Sequence, residues 1–328
     1  MAQLIKLQDY VSRYEKDIYH YPAQYIRLKK KNWQSVKTAF ESGHLLRDFG
    51  FTGPTIIEEP EQPSKKPVIQ LLRGLLKRGK RPDSPMEEGN LDEFISSSEE
   101  ESFLNAFTTE PKTIDDLKVL FLDNLFDFQL KWASSTLWEQ SRPDRHFYYD
   151  DALKYFLQRF PDTYLVLYKP IFLVKKAPVE TDIILVSPTE TWCISLLEGK
   201  EGSVFQYSKE RFWNELIGKT QRKVLNPLIG LNRMEQIVRK LYERNNVDFP
   251  IHKVILNRNG FIDCPSVPYG IQMIDKRNYS KWFAQLRQLS SPLKHVQLKA
   301  AQALLANSQT TSLQIMDEEL DKEDDSKG

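Results

Sequence analysis

Cysteine is scarce in this chain, with two in 328 residues, Cys193 and Cys264. Both lie in apolar stretches, with no Cys-x-x-Cys and no histidine at metal-ligand spacing. That excludes a disulfide scaffold or a zinc ribbon, and points to two buried thiols in a reducing compartment. The opening Met1-Ala-Gln-Leu-Ile-Lys lacks the apolar core and cleavage site of a secretory leader. No apolar run approaches the ~20 residues that a bilayer-spanning helix needs. The expectation is a soluble cytoplasmic protein with no membrane partner. An excess of either charge is also missing, because 46 Lys+Arg stand against 45 Asp+Glu, a net +1. No Walker-type glycine loop and no Gly-x-Ser-x-Gly elbow occurs. The five histidines, His20, His44, His146, His252 and His295, are scattered and form no His-x-x-x-His.

What is present is a core-forming composition, 40% hydrophobic and 12% aromatic, with charges segregated along the chain. Residues 1–51 read as a helical N-terminal region. Leu4, Leu7, Tyr10 and Val11 recur at helical spacing, as do Tyr25, Leu28, Trp33, Val36 and Phe40. Pro22 separates two helices. Residues 52–101 are rich in proline and charge. A basic run, Leu71 to Pro82, precedes an acidic Ser/Glu run ending at Glu101. This composition predicts a disordered linker, able to bind nucleic acid or to pair with its own acidic neighbour. Residues 102–145 form a helical segment, with Thr113 as N-cap and Asp115 and Asp116 in the first turn. Its stripe from Leu117 to Leu137 predicts a docking face for the N-terminal helices, the following domain or a protein partner.

Residues 146–290 alternate helix and strand, ending in a helix from Tyr279. Thr181-Asp-Ile-Ile-Leu-Val186 and Thr191-Trp-Cys-Ile-Ser-Leu-Leu197 predict a hairpin buried on both faces. The fold class is α/β (α+β), a mixed sheet flanked by helices. A helix over 291–306 and a disordered acidic tail over 307–328 complete the chain.

Residues 148–289 carry an ordered set of features. A helix ends at Leu157-Gln-Arg-Phe-Pro-Asp-Thr-Tyr164. Then come Glu180-Thr-Asp-Ile-Ile-Leu-Val-Ser-Pro188, the facing strand, Trp213, and Asn226-Pro227-Leu228 opening a helix. This region resembles the nuclease-related (NERD) domain, of the restriction-endonuclease-like PD-(D/E)XK superfamily. The resemblance implies a restriction-endonuclease-like mixed sheet. It also implies an Asp on one hairpin strand facing an acidic residue on the next, with a Lys two residues on. The two carboxylates share Mg²⁺ or Mn²⁺, which activates water for phosphodiester cleavage while Lys assists.

Asp182 matches the first carboxylate. Glu198-Gly199-Lys200 reads as Glu-x-Lys, so an active enzyme would use Asp182, Glu198 and Lys200, with Asp182 and Glu198 holding the metal. Hairpin geometry favours a different pairing. A turn centred between Pro188 and Thr189 sets Ser195 opposite Asp182, with Leu197 two residues on. Placing Glu198 there lengthens the loop and removes Thr191 and Trp192 from the strand. Gly230 stands where the family has Gln. The preceding helix offers only Asp150 or Asp151. The expectation is a degenerate domain without a cofactor, acting in nucleic-acid binding or as an interaction module. The alternatives are a Mg-dependent nuclease and a protein–protein scaffold. Lys209, Arg211, Trp213, Lys219, Arg222 and Lys223 form a candidate nucleic-acid surface, with Trp213 available to stack on a base. The competing reading of that segment is a loop and helix whose Trp plugs the core.

Overall fold

A computed structural model describes residues 1–45, 110–136, 138–175, 177–289 and 291–314. The expected linker over 52–101 and residues 315–328 of the expected tail lie outside the described residues. The chain divides into two compact units, Met1–Arg27 with Phe126–Gly328, and Leu28–Leu125.

In chain order the helices are α1 (Arg13–Lys16), α2 (Tyr21–Glu41), α3 (Ile114–Trp132), α4 (Asp151–Arg159), α5 (Pro227–Arg244), α6 (Tyr279–Gln288) and α7 (His295–Leu305). The strands begin with β1 (Gln3–Leu7), β2 (Glu139–Gln140), β3 (Leu165–Tyr168), β4 (Ile171–Val174), β5 (Ala177–Glu180), β6 (Ile183–Val186) and β7 (Thr191–Leu196). They continue with β8 (Val204–Gln206), β9 (Phe212–Ile217), β10 (Thr220–Leu225), β11 (Ile251–Leu256), β12 (Phe261–Asp263), β13 (Ile271–Ile274) and β14 (Leu313–Gln314).

The second unit holds the middle of α2 and the start of α3. Thr113 caps α3 as the sequence predicts. Its hydroxyl accepts from the Asp116 amide at 3.1 Å, while Asp116 accepts from the Thr113 amide at 2.9 Å. Each side chain thus satisfies a backbone donor that a helix start leaves open. Within this unit Val36 and Leu117 are fully buried, and Trp33 meets Phe121 edge-on. Pro22 sits in the first turn of α2, where its missing amide costs no hydrogen bond.

The first unit is built on a six-stranded mixed sheet in the order β1-β3-β6-β7-β11-β13. Every residue of β3 and β6 is buried, so both strands read as continuous apolar runs. α5 covers one face, where the Thr191 hydroxyl meets the Tyr242 phenol at 2.7 Å. α7 packs on α5. α6 covers the other face, with Tyr164 donating to the Leu286 carbonyl at 2.7 Å. A second sheet, β10-β9-β8-β12, stands beside it in the chain.

Three sequence expectations change. Residues 3–7 are a strand, not the start of a helix. They pair in parallel with β3, and all five side chains are buried. The helical spacing of Leu4 and Leu7 gives way because sheet pairing satisfies this backbone. Even Lys6 is accommodated, bonded to the Tyr10 carbonyl and Thr310 hydroxyl, each at 2.8 Å, and ion-paired with Glu15. Phe212–Leu225 form the β9–β10 hairpin, where a loop and helix were expected over 209–223. Gly218, at φ 58°, provides the left-handed position in its two-residue turn. Third, Cys264 is only partly buried, unlike Cys193, and both thiols are free. Among the described residues no helix is long and apolar enough to cross a membrane.

Candidate functional site

The site rests on the β6–β7 hairpin. Its residues pair as Ile183↔Ile194, Ile184↔Cys193, Leu185↔Trp192 and Val186↔Thr191. The turn closes through Ser187, whose amide donates to the Glu190 carbonyl at 2.9 Å. Continuing this register one step outward brings Asp182 opposite Ser195. The Ser195 hydroxyl donates to Asp182 Oδ2 at 2.6 Å. Strand alternation puts Leu197 on the same face two residues later, and it is buried. This is the short-turn register favoured by the sequence.

Asp182 is half-buried, and burial pushes its carboxyl up from the ordinary range. The Ser195 bond and the nearby Lys169 ammonium work in the opposite direction. Lys169 follows β3 in left-handed backbone, and its amide donates to the Asp182 carbonyl at 3.0 Å. The neighbouring Tyr168 donates to Asp150 Oδ2 at 2.8 Å, and the Lys169 ammonium lies 5.3 Å from the centre of its ring. The second Asp150 oxygen caps α4 through the Ala152 and Leu153 amides, at 2.9 and 3.0 Å. Both Asp150 oxygens are therefore occupied. Burial above all keeps the Tyr168 phenol neutral, helped by the negative charges of Asp150, Glu198 and Asp182.

Glu198 and Lys200 lie beyond the end of β7, and both are exposed. The glycine between them has its own reason to be there. A Cβ on Gly199 would come within 2.4 Å of Ser203 Oγ and 2.6 Å of Glu215 Oε1. No side chain fits that gap. Ser203 Oγ and Glu215 Oε1 are both buried without a hydrogen-bond partner. Opposite Asp182, then, stand a neutral hydroxyl and an aliphatic side chain. One carboxylate with a hydroxyl is a poorer oxygen set for a divalent ion than two carboxylates. Among the described residues, no group of three or more His, Cys, Asp or Glu side chains is arranged to hold a metal ion. At Gly230, on an exposed position of α5, an added Cβ would meet nothing within 4 Å.

The six proposed nucleic-acid residues do not converge. Trp213 is fully buried, donates from its indole to the Ser208 carbonyl at 2.9 Å and meets Tyr207 edge-on. It plugs a core and is not open to a base. Arg222 stands opposite Glu215 and donates to its Oε2 at 2.8 Å, so its guanidinium is engaged. Lys223 points to the other face of that hairpin. Lys209, Arg211, Lys219 and Lys223 remain exposed.

Strand directions gather a different set. β3, β7, β11 and β13 run the same way, so their carboxyl ends share one edge with the start of β6. That edge carries Lys169, Asp182, Ser195, Lys200 and Arg258. The Arg258 guanidinium lies 4.1 Å over the Tyr155 ring. The capped N-terminus of α4 meets the same edge through the Tyr168–Asp150 bond. Ligand sites of open α/β sheets favour this position. Sequence reasoning did not single out Lys169 and Arg258. Their one signal was a cation placed immediately after a strand.

Residues 147–256 match the family model of the nuclease-related domain (NERD). The matched region contains β3, β6, β7 and β11 of the main sheet, together with the Asp182–Ser195 pair. A curated protein of Geobacillus stearothermophilus named RNA 2',3'-cyclic phosphodiesterase is 34% identical over 133 residues. The aligned part covers 39% of this chain, and the chain spans only 36% of that relative's length. No solved structure matches.

Proposed function

We propose that the nuclease-related domain of this chain binds nucleic acid at the carboxyl edge of its main sheet without cutting it. One observation carries the reading. Ser195, a neutral hydroxyl, faces Asp182 at 2.6 Å where the family chemistry needs a second carboxylate. The adjoining Leu197 offers no ammonium to the reacting phosphate. Lys169, Lys200 and Arg258 on the same edge supply phosphate-binding cations. RNA is the first ligand to try, since the name of the Geobacillus relative refers to RNA chemistry. Two free thiols agree with work in the cytoplasm.

The test is cleavage and binding of labelled single- and double-stranded RNA and DNA, with Mg²⁺ or Mn²⁺ against EDTA. The reading expects no cleavage, and binding that weakens steeply with salt. Lys169→Ala and Arg258→Ala should each weaken binding severalfold. Metal-dependent cleavage lost in Asp182→Ala would overturn it in favour of a nuclease using Asp182, Glu198 and Lys200. Absence of any binding would favour a protein–protein scaffold.

A further inference from the structure

A groove of about 350 Å³ lies between the β4–β5 hairpin and α5. Its floor is aliphatic, formed by Val174 and Val179 of the hairpin with Ile237 and Leu241 of the helix. Its rim is cationic. Arg233, Lys240 and Arg244 line it from α5, and Lys175 from the hairpin tip. Spacings of three, four, seven and eight place the α5 residues on one helical stripe. At 1.5 Å per residue, the three α5 cations are about 10 Å and 6 Å apart along the axis. Among the described residues no acidic side chain lines the groove. Among the described residues no ion pair or side-chain hydrogen bond engages any of the four cations, whereas Arg239 on the next face is paired with Glu235. Leu173, at 56% exposure, and Val174, at 38%, are left uncovered beside them.

Aliphatic groups flanked by unpaired cations fit an acidic peptide segment carrying aliphatic side chains. They fit nucleic acid less well, because the one aromatic lining residue, Phe172, is 1% exposed and cannot stack on a base. This chain contains such a segment. Met316-Asp-Glu-Glu-Leu-Asp-Lys-Glu-Asp-Asp325 sets seven carboxylates against one lysine, with Met316 and Leu320 four residues apart. The chain also passes the groove shortly before. Asn307 lines it, Ser308 bridges to Phe172, and the Gln309 amide donates to the Ile171 carbonyl at 2.7 Å. The described chain continues to Gln314, seven residues past Asn307. Seven extended residues span at most about 25 Å, and the fourteen that follow span up to about 50 Å. Return to the groove is within reach. A tether of this length keeps the segment at an effective concentration on the order of millimolar.

We propose that the groove between the β4–β5 hairpin and α5 is the docking site of this chain's own acidic segment, residues 315–328. Met316 and Leu320 cover the aliphatic floor, and the carboxylates pair with Lys175, Arg233, Lys240 and Arg244. The proposal does not depend on the nucleic-acid reading above.

Zero-length carbodiimide coupling of the full chain, mapped by mass spectrometry, tests it. The expected products join Lys175 or Lys240 to carboxylates of residues 317–325. Their yield should not change with protein concentration, and should fall at least fivefold in Arg244→Glu. Arg244→Lys, which keeps the charge, should restore it. Thermal melting confirms that both variants are folded. Coupling of the segment only to other lysines, such as Lys77 and Lys80 of the basic run, overturns the proposal. So does a yield that rises with concentration, which would mean a second copy as donor, or a yield unmoved by Arg244→Glu.

Discussion

Ser195 donates a hydrogen bond to Asp182 across the β6–β7 hairpin at 2.6 Å, so a hydroxyl faces the half-buried carboxylate. The bond is internal to the protein and neutral on one side. It changes what Asp182 contributes to stability as well as to chemistry.

Burial raises the Asp182 carboxyl above its ordinary range despite Ser195 and Lys169. Below the ordinary aspartate range the residue is protonated in both folded and unfolded chains and contributes nothing to their difference. As pH rises through that range the unfolded chain loses its proton first, so stability falls until the folded group also ionises. Asp182→Asn removes this loss. Denaturation curves from pH 3 to 8 should show the variant more stable than the native protein near neutrality. The difference should vanish at the acid end.

Ser195→Glu recreates two facing carboxylates. Without a metal they repel across the hairpin, and the melting temperature should drop. Mn²⁺ should restore it, by about 2.7 kcal/mol at a hundredfold excess over the dissociation constant. Native protein should melt at the same temperature with Mn²⁺ or EDTA. A native protein stabilised by Mn²⁺ would count against the non-catalytic reading.

The two glycines near the site should respond in opposite directions to alanine. Gly199→Ala forces a methyl against Ser203 Oγ and Glu215 Oε1, and overpacking of this kind costs about 1–3 kcal/mol. Gly230→Ala meets nothing within 4 Å and lies inside α5, where it should stabilise by about 0.5–1 kcal/mol. Urea denaturation of the two variants measures both signs.

Arg222 and Lys223 are neighbours with different work. Arg222→Ala leaves the fully buried Glu215 carboxylate without its partner, and should destabilise by about 2–3 kcal/mol. Lys223→Ala alters an exposed position and should stay within about 0.5 kcal/mol of native. Salt-dependent RNA binding measured on both separates a stability effect from a phosphate contact.

The hairpin that carries Asp182 was legible before any coordinates. Both strands are apolar throughout, and a two-residue turn at Pro188 and Thr189 leaves a single register. One slip would turn Ile184 and Cys193 to the opposite face. The capping of α3 by Thr113 and the bounds of β11 were equally plain, because each is written in local sequence. β1 was not. Leu4 and Leu7 suit a helix as well as a strand, and only pairing with residues far along the chain decides between them. β9 and β10 were missed for a related reason. In β9 the buried Trp213 and Glu215 alternate with Phe212 and Asn214, and the charges of β10 resemble a solvated helix. The site itself was half legible. Asp182 and its neutral partner came from arithmetic, whereas Lys169 and Arg258 join them only through the order of strands in the sheet.

That same strand order has a consequence for how the chain is made. Gln3 pairs with Leu165, 162 residues further on. At about 5–20 residues per second, β1 leaves the ribosome roughly ten to thirty seconds before its partner exists. During that interval a strand reading Gln-Leu-Ile-Lys-Leu is an open template for other chains. Lys6, buried in the finished protein, is the one charge in that strand and guards it from wrong pairing while it waits.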